Sequence, residues 1–140
     1  MTWNGAIKWV MVVSGVLTLT MLYAAIAPRA AMHSTFGEAL DGPLAEIIVR
    51  NWGVLVALMG AMLIYGAYDP RVRALVLVVA GVSKLVFISL VLLYGRHYLS
   101  TAGLAVAIDA TVVVLFIAYL TRTRDQLRRA AAAPDGVGPL

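Results

Sequence analysis

The sequence predicts an all-α integral membrane protein: a four-transmembrane-helix bundle with a short outward interfacial helix between spans 1 and 2. Three observations predict it. Four apolar runs each approach the roughly twenty residues needed to cross hydrocarbon about 30 Å thick. Apolar residues make up 62% of the 140-residue chain and charged ones only 13%, against about 25% charged in an average protein; the mean hydropathy is +0.92. Lysine and arginine also crowd one set of span ends, the bias that orients membrane helices. The length allows one domain: residues 1–122 as the membrane domain and 123–140 as a basic cytoplasmic tail.

Composition also excludes several classes. Cysteine is absent, which removes structural disulfides, thiolate metal sites and nucleophilic thiols. The net charge of +4 sits beside apolar runs rather than on a soluble basic surface, so nucleic acid is not an expected partner. No nucleophile elbow, phosphate-binding loop, HExxH motif or carboxylate dyad occurs.

The first span covers 7–27. Lys8 before it and Ala25-Ile26-Ala27 at its end resemble a secretory signal, but the apolar run exceeds the roughly 7–15 residues of a signal core. Pro28 also occupies the position where a cleaved product would begin, and more spans follow, so an uncleaved span is expected. Residues 28–50 form the longest connection. Thr35-Phe36-Gly37-Glu38 fits the T-x-x-E capping box, in which hydroxyl and carboxylate satisfy the free N–H groups of a helix start. Asp41-Gly42-Pro43 reads as a second start, with Asp41 or Gly42 as cap and Pro43 in the first turn. Glu46 and Arg50 follow at i,i+4 spacing and can pair on one face.

The second span covers 52–68, so its helix begins a few turns outside the membrane. Asp69-Pro70 closes it and opens the third, 74–94, with Asp69 as cap and Pro70 at the first helical position. So tight a connection makes these spans antiparallel neighbours. Gly95 is the expected stop of the third. Ser100 or Thr101 is expected to cap the fourth span, 102–120, and TRTRDQLRRAAAA continues it with good helix formers. The final PDGVGPL should fray.

Seven basic residues (Lys8, Arg71, Arg73, Arg122, Arg124, Arg128 and Arg129) fall on one side and three (Arg29, Arg50 and Arg96) on the other. Both termini are therefore expected to be cytoplasmic, with 28–50 facing outward, in a bacterial inner (plasma) membrane. Trp3, Trp9, Trp52, Tyr68, Tyr94, Tyr98 and Tyr119 fall near the expected interfaces, where aromatic belts form.

Two charges lie inside predicted hydrocarbon. Lys84 is about 15 Å below the outer end of its span and Asp109 about 12 Å below the outer end of the next, at 1.5 Å per residue. A lysine at the centre of a bilayer costs roughly 2.5–3.5 kcal/mol on insertion scales, and intramembrane charges pair inside bundles. A Lys84–Asp109 pair is therefore expected. Small residues beside each charge, such as Ala80, Gly81, Ala102 and Ala105, allow close helix approach. Ser83, Ser14 and Thr18 are candidate hydroxyl partners if they face inward. Three roles for the pair stand open: fixing helix register, lining a polar cavity that meets a ligand, ion or proton, or facing a partner subunit.

Other candidates are simpler. Arg50, Asn51 and Glu46 form a polar group at the outer mouth of span 2, where pairing of Arg50 with Glu46 is the expected state and an anionic ligand or lipid head group the alternative. His33 and His97 lack the surroundings of a metal site and read as surface residues, so no metal and no cofactor are expected. The Arg122–Arg129 tail suits anionic lipids. Gly53-xxx-Ala57-xxx-Ala61 reads as a helix-packing face.

Four spans, an outward first loop, and an Arg50-Asn51-Trp52-Gly53 start to span 2 with Gly60 further along resemble the small four-span bacterial membrane proteins of the DoxX-like kind. The resemblance implies the fold and names no activity. Three functions remain as expectations: binding of an amphipathic or lipid-like molecule in the bundle with Lys84–Asp109 as polar anchor; a non-catalytic accessory subunit, homo-oligomeric or docked on a larger complex through Gly53, Ala57 and Ala61; and a membrane enzyme acting on a lipophilic substrate with Asp109 as acid or base.

Overall fold

The computed structural model describes residues 3–132, and all regular structure among them is helical. Helix α1, Trp3–Leu19, passes through a tight 3₁₀ turn, Thr20–Leu22, into the short α2, Tyr23–Ile26. Together they form the first candidate crossing. Pro28 ends it, because proline has no N–H to donate back into the helix and its ring biases Ala27 away from the helical region. Ala27 sits at φ −127°, ψ 71°. The same proline is the first residue of α3, Pro28–Phe36, where its missing donor costs nothing.

Helix α3 is the interfacial helix, and it lies earlier than the capping-box motif places it. Thr35 belongs to its last turn, and Gly37, left-handed at φ +80°, terminates it by donating its N–H to the His33 carbonyl 2.8 Å away. The proline-first, glycine-last pairing thus prevails over the T-x-x-E pattern. Gly42, at φ +102°, is the cap of α4, Pro43–Tyr68, whereas Asp41 instead faces Arg29.

The Asp69-Pro70 turn behaves as its chemistry dictates. The Asp69 carboxylate accepts from the Arg71 N–H at 3.0 Å, and α5 runs Pro70–Tyr94 to a stop at Gly95. A single 3₁₀ turn, Arg96–Tyr98, leads straight into α6, Leu99–Ala132. Ser100 and Thr101 do not cap it, because α6 already begins at Leu99; their hydroxyls bond back to the His97 and Tyr98 carbonyls at 3.4 and 3.1 Å. At 34 residues, α6 extends well past the other helices, and the basic segment to Ala132 is part of it. The PDGVGPL segment and the Trp3 side chain lie outside the described residues.

Among the described residues, four helical segments are long and apolar enough to cross a membrane. Helices α1 and α4 pack most extensively, α4 with α5 and α5 with α6 follow, and α1 meets α6 less closely. This is a four-helix bundle with α1 and α5 on one diagonal. Its outer surface carries exposed leucine, valine and isoleucine, as a lipid-facing surface does; Leu104 is 74% exposed. Trp9, Tyr68 and Tyr94 stand exposed near helix ends, but Tyr119 is 8% exposed and belongs to the core rather than to an aromatic belt.

Two apolar cores form inside. The larger joins Ile7, Met11, Leu63, Ala67, Val76, Leu77, Ala80, Val112, Phe116 and Tyr119 at the end holding the α4–α5 turn. The smaller joins Ala24, Ala31 and Val49 under α3 at the other end. Phe36 extends this cover over the α3 end: its ring meets Trp52 at 6.4 Å and Tyr98 at 5.6 Å, edge-on, and Tyr98 donates to Glu38 at 3.0 Å.

Candidate functional site

Between the two cores lies a polar layer. On α5, Lys84 is one turn beyond the core residue Ala80; on α6, Asp109 is one turn before Val112; on α1, Ser14 and Thr18 follow Met11. Lys84 Nζ donates to Asp109 Oδ1, and this is an ion pair between neighbouring helices. Nζ also reaches across the bundle diagonal to Thr18 Oγ1 at 3.4 Å. The side chains of Lys84 and Asp109 are 11% and 20% exposed. Of the three N–H groups an ammonium carries, two are thus directed to side chains on other helices. Ser14 is buried in the same layer at 3% exposure. Ser83 is not part of it: it is exposed, because the residue beside Lys84 points about 100° away around a helix of 3.6 residues per turn.

Close helix contact is uneven around the layer. Near the pair Gly81 and Ala102 are buried and Ala105 is exposed, but a Cβ on Gly81 would meet only the Phe116 ring, at 3.9 Å, so no close backbone approach is made there. On the opposite wall, Gly15 of α1 meets Gly60 of α4, and Gly53 of α4 meets α2 at Ala24. Gly53, Ala57 and Gly60 are buried in this seam, whereas Ala61 faces outward. Gly53 and Ala57 of the small-residue stripe are therefore taken up by packing within the chain, while Ala61 is left on its surface.

At the α3 end of the bundle, Arg50 does more than pair with Glu46. Its guanidinium donates to the Ala25 carbonyl and to the Ile26 carbonyl at 3.3 Å, while its distance to Glu46 is 3.9 Å. The break at Pro28 leaves the last carbonyls of α2 without their next-turn donors, and Arg50 supplies donors in their place. Glu46 also faces Arg29 at 3.7 Å, and Arg29 faces Asp41 at 3.7 Å. Arg50 and Glu46 thus tie α2, α3 and α4 together, and Asn51 is exposed beside them. His33 and His97 are exposed, and no group of metal-binding side chains occurs among the described residues.

One arginine has a structural role that its charge alone does not show. Arg73, in the first turns of α5, is 8% exposed and donates from Nε to the Gly66 carbonyl at 3.2 Å and from an Nη to the Ala67 carbonyl at 2.9 Å. It caps the C-terminus of α4 across the Asp69-Pro70 turn, as Arg50 caps α2. Counting arginines for topology gives no sign of this; their spacing from the turn does.

Compared with known proteins, the chain matches no family model, no curated protein and no solved structure.

Proposed function

We propose that this multi-pass chain binds an amphipathic or lipid-like molecule in its helix bundle, with the Lys84–Asp109 pair as polar anchor. The observation that carries the reading is a charged pair incompletely enclosed, at 11% and 20% side-chain exposure, in a polar layer between two apolar cores. A pair serving only to lock two helices is cheapest when fully covered, since residual charge exposed to hydrocarbon is costly. A ligand's polar group would offset that cost, with its apolar part lying along the exposed leucine and valine of the helix surface. The third Lys84 N–H and the second Asp109 oxygen are the contacts such a group would use.

We further propose a bacterial inner membrane, in which the lysine and arginine bias supports cytoplasmic termini with α3 at the outer face. A layout like that of DoxX-like proteins fits the same reading. Reporter fusions at residue 132 and between 37 and 42 test the orientation: an outward C-terminus refutes it.

The binding reading is tested by purifying the full chain in native membrane discs and identifying co-purifying small molecules by mass spectrometry. Wild type is expected to retain an amphiphile that the folded K84M/D109L variant loses. If the folded double variant retains every molecule that wild type carries, the reading fails.

A further inference from the structure

At the other end of the bundle, α5 begins beside the stretch of α6 that leaves the membrane core. The groove between them has an apolar floor that includes Pro70, Ala74, Leu120 and Leu127. Its polar lining is Tyr119, Thr123 and three arginines, Arg73, Arg124 and Arg128, with no acidic side chain among the lining residues. Arg124 and Arg128 are exposed and one turn apart, so they share a face of α6. Arg73 is anchored by the carbonyls of Gly66 and Ala67, which holds its positive charge fixed at the groove's inner end. The groove lies at the level of the α4–α5 turn, where Lys8 covers the Tyr68 ring at 4.1 Å, the depth at which amphipathic side chains mark a membrane interface.

We infer that this groove is a binding site for a monoanionic phospholipid of the leaflet at this end. Its phosphate diester would lie against Arg124 and Arg128, facing the fixed charge of Arg73, with the Thr123 hydroxyl as a further donor. One acyl chain would run along Leu120 and Ala74 toward the membrane centre. The charge pattern selects the occupant: arginine matches a phosphate's oxygens with paired donors, the absence of acids disfavours a zwitterionic head group whose amine needs an anion, and the leucine floor disfavours free phosphate. The other face of the same helix carries Arg122, Asp125, Gln126 and Arg129, where an acid is interleaved. The two faces therefore differ in lipid chemistry though each carries two arginines of α6. This site does not depend on the Lys84–Asp109 pair, which lies nearer the other end of α5.

The test uses the full chain in discs or mild detergent, titrated with phosphatidylglycerol, phosphatidylcholine and inorganic phosphate, with binding read by native mass spectrometry. R124Q/R128Q is compared with R122Q/R129Q, which removes the same charge from the opposite face; K84M/D109L serves as an independent control. Wild type is expected to prefer phosphatidylglycerol to phosphatidylcholine. R124Q/R128Q should weaken phosphatidylglycerol binding by roughly thirtyfold, from two lost contacts with an anionic lipid, while R122Q/R129Q changes it several-fold at most and K84M/D109L leaves it intact. Equal losses in the two arginine variants would mean diffuse attraction to the surface and overturn the site. So would equal binding of phosphatidylcholine, or displacement of the lipid by millimolar inorganic phosphate.

Discussion

Gly60 of α4 lies so close to Gly15 of α1 that a Cβ built on it would stand 2.6 Å from the Gly15 carbonyl oxygen and 2.6 Å from the Leu19 backbone nitrogen. Both obstacles are backbone, which cannot turn aside as a side chain can. The most extensively packed helix pair in the bundle therefore depends on the missing methyl. Gly60→Ala is expected to destabilise the fold by about 2 kcal/mol or more, as overpacking forces helices apart. Gly103→Ala is the control, because its Cβ meets nothing within 4 Å and alanine gains up to about 1 kcal/mol of helix propensity. Thermal unfolding in one detergent measures both; equal midpoints for the two variants would refute the seam.

The Lys84–Asp109 pair predicts non-additive mutants. Lys84→Met leaves the Asp109 carboxylate in the bundle without its cation, and Asp109→Leu leaves the ammonium, so each single change should cost about 3–5 kcal/mol. K84M/D109L removes both charges and should recover most of that loss, or exceed wild type, because well-packed apolar replacements avoid the desolvation cost. A double-mutant cycle on unfolding free energies decides the matter. If the single losses simply add, the two groups are energetically independent.

Gly37 carries a local prediction. Its φ of +80° is left-handed, and alanine there pays about 1–2 kcal/mol for the clash of its Cβ with the following carbonyl. Gly37→Asn should cost less, since asparagine tolerates this region. The expected order of thermal stability is Gly, then Asn, then Ala, and Ala equal to Gly would mean that α3 ends elsewhere.

Much of this was legible in the sequence, for reasons tied to particular residues. Asp69-Pro70 and Gly95 act through local backbone chemistry, so their positions set the ends of α4 and α5 without knowledge of the fold. Lys84 and Asp109 are legible because a buried charge is expensive and helical rise converts sequence position into similar depths on two successive spans joined by a short loop. The end of α3 was misread because two local signals compete over Thr35–Glu38, and the winner depends on Pro28 seven residues upstream. Ser83 could not be placed without the helix rotation that its neighbour's pairing imposes. Gly60 was noted as part of a resemblance, yet its partner Gly15 sits 45 positions away, and no periodicity links them. Arg50 and Arg73 were counted as charges, while their work is hydrogen bonding to carbonyls freed by helix ends.

Arg73 separates those two roles experimentally. Its guanidinium donates to the carbonyls of Gly66 and Ala67 from a position 8% exposed, whereas Arg71, two residues earlier, is a 92%-exposed side chain facing Asp69 at 3.6 Å. For membrane orientation the two are equivalent: each is one positive charge in the same turn. For stability they are not. Arg73→Gln withdraws a charged, two-pronged donor from carbonyls that no helical N–H reaches, and a buried acceptor left unsatisfied costs about 1–3 kcal/mol. Arg71→Gln loses an exposed ion pair worth about 0–1 kcal/mol. Arg73→Lys should recover only part of the loss, since one ammonium does not reproduce the planar fork. The expected result is a clear drop in unfolding midpoint for Arg73→Gln, a smaller one for Arg73→Lys, near-wild-type behaviour for Arg71→Gln, and unchanged reporter topology in all three. Equal stability of the two glutamine variants would reduce Arg73 to a topology charge and leave the end of α4 held by the Asp69-Pro70 turn alone.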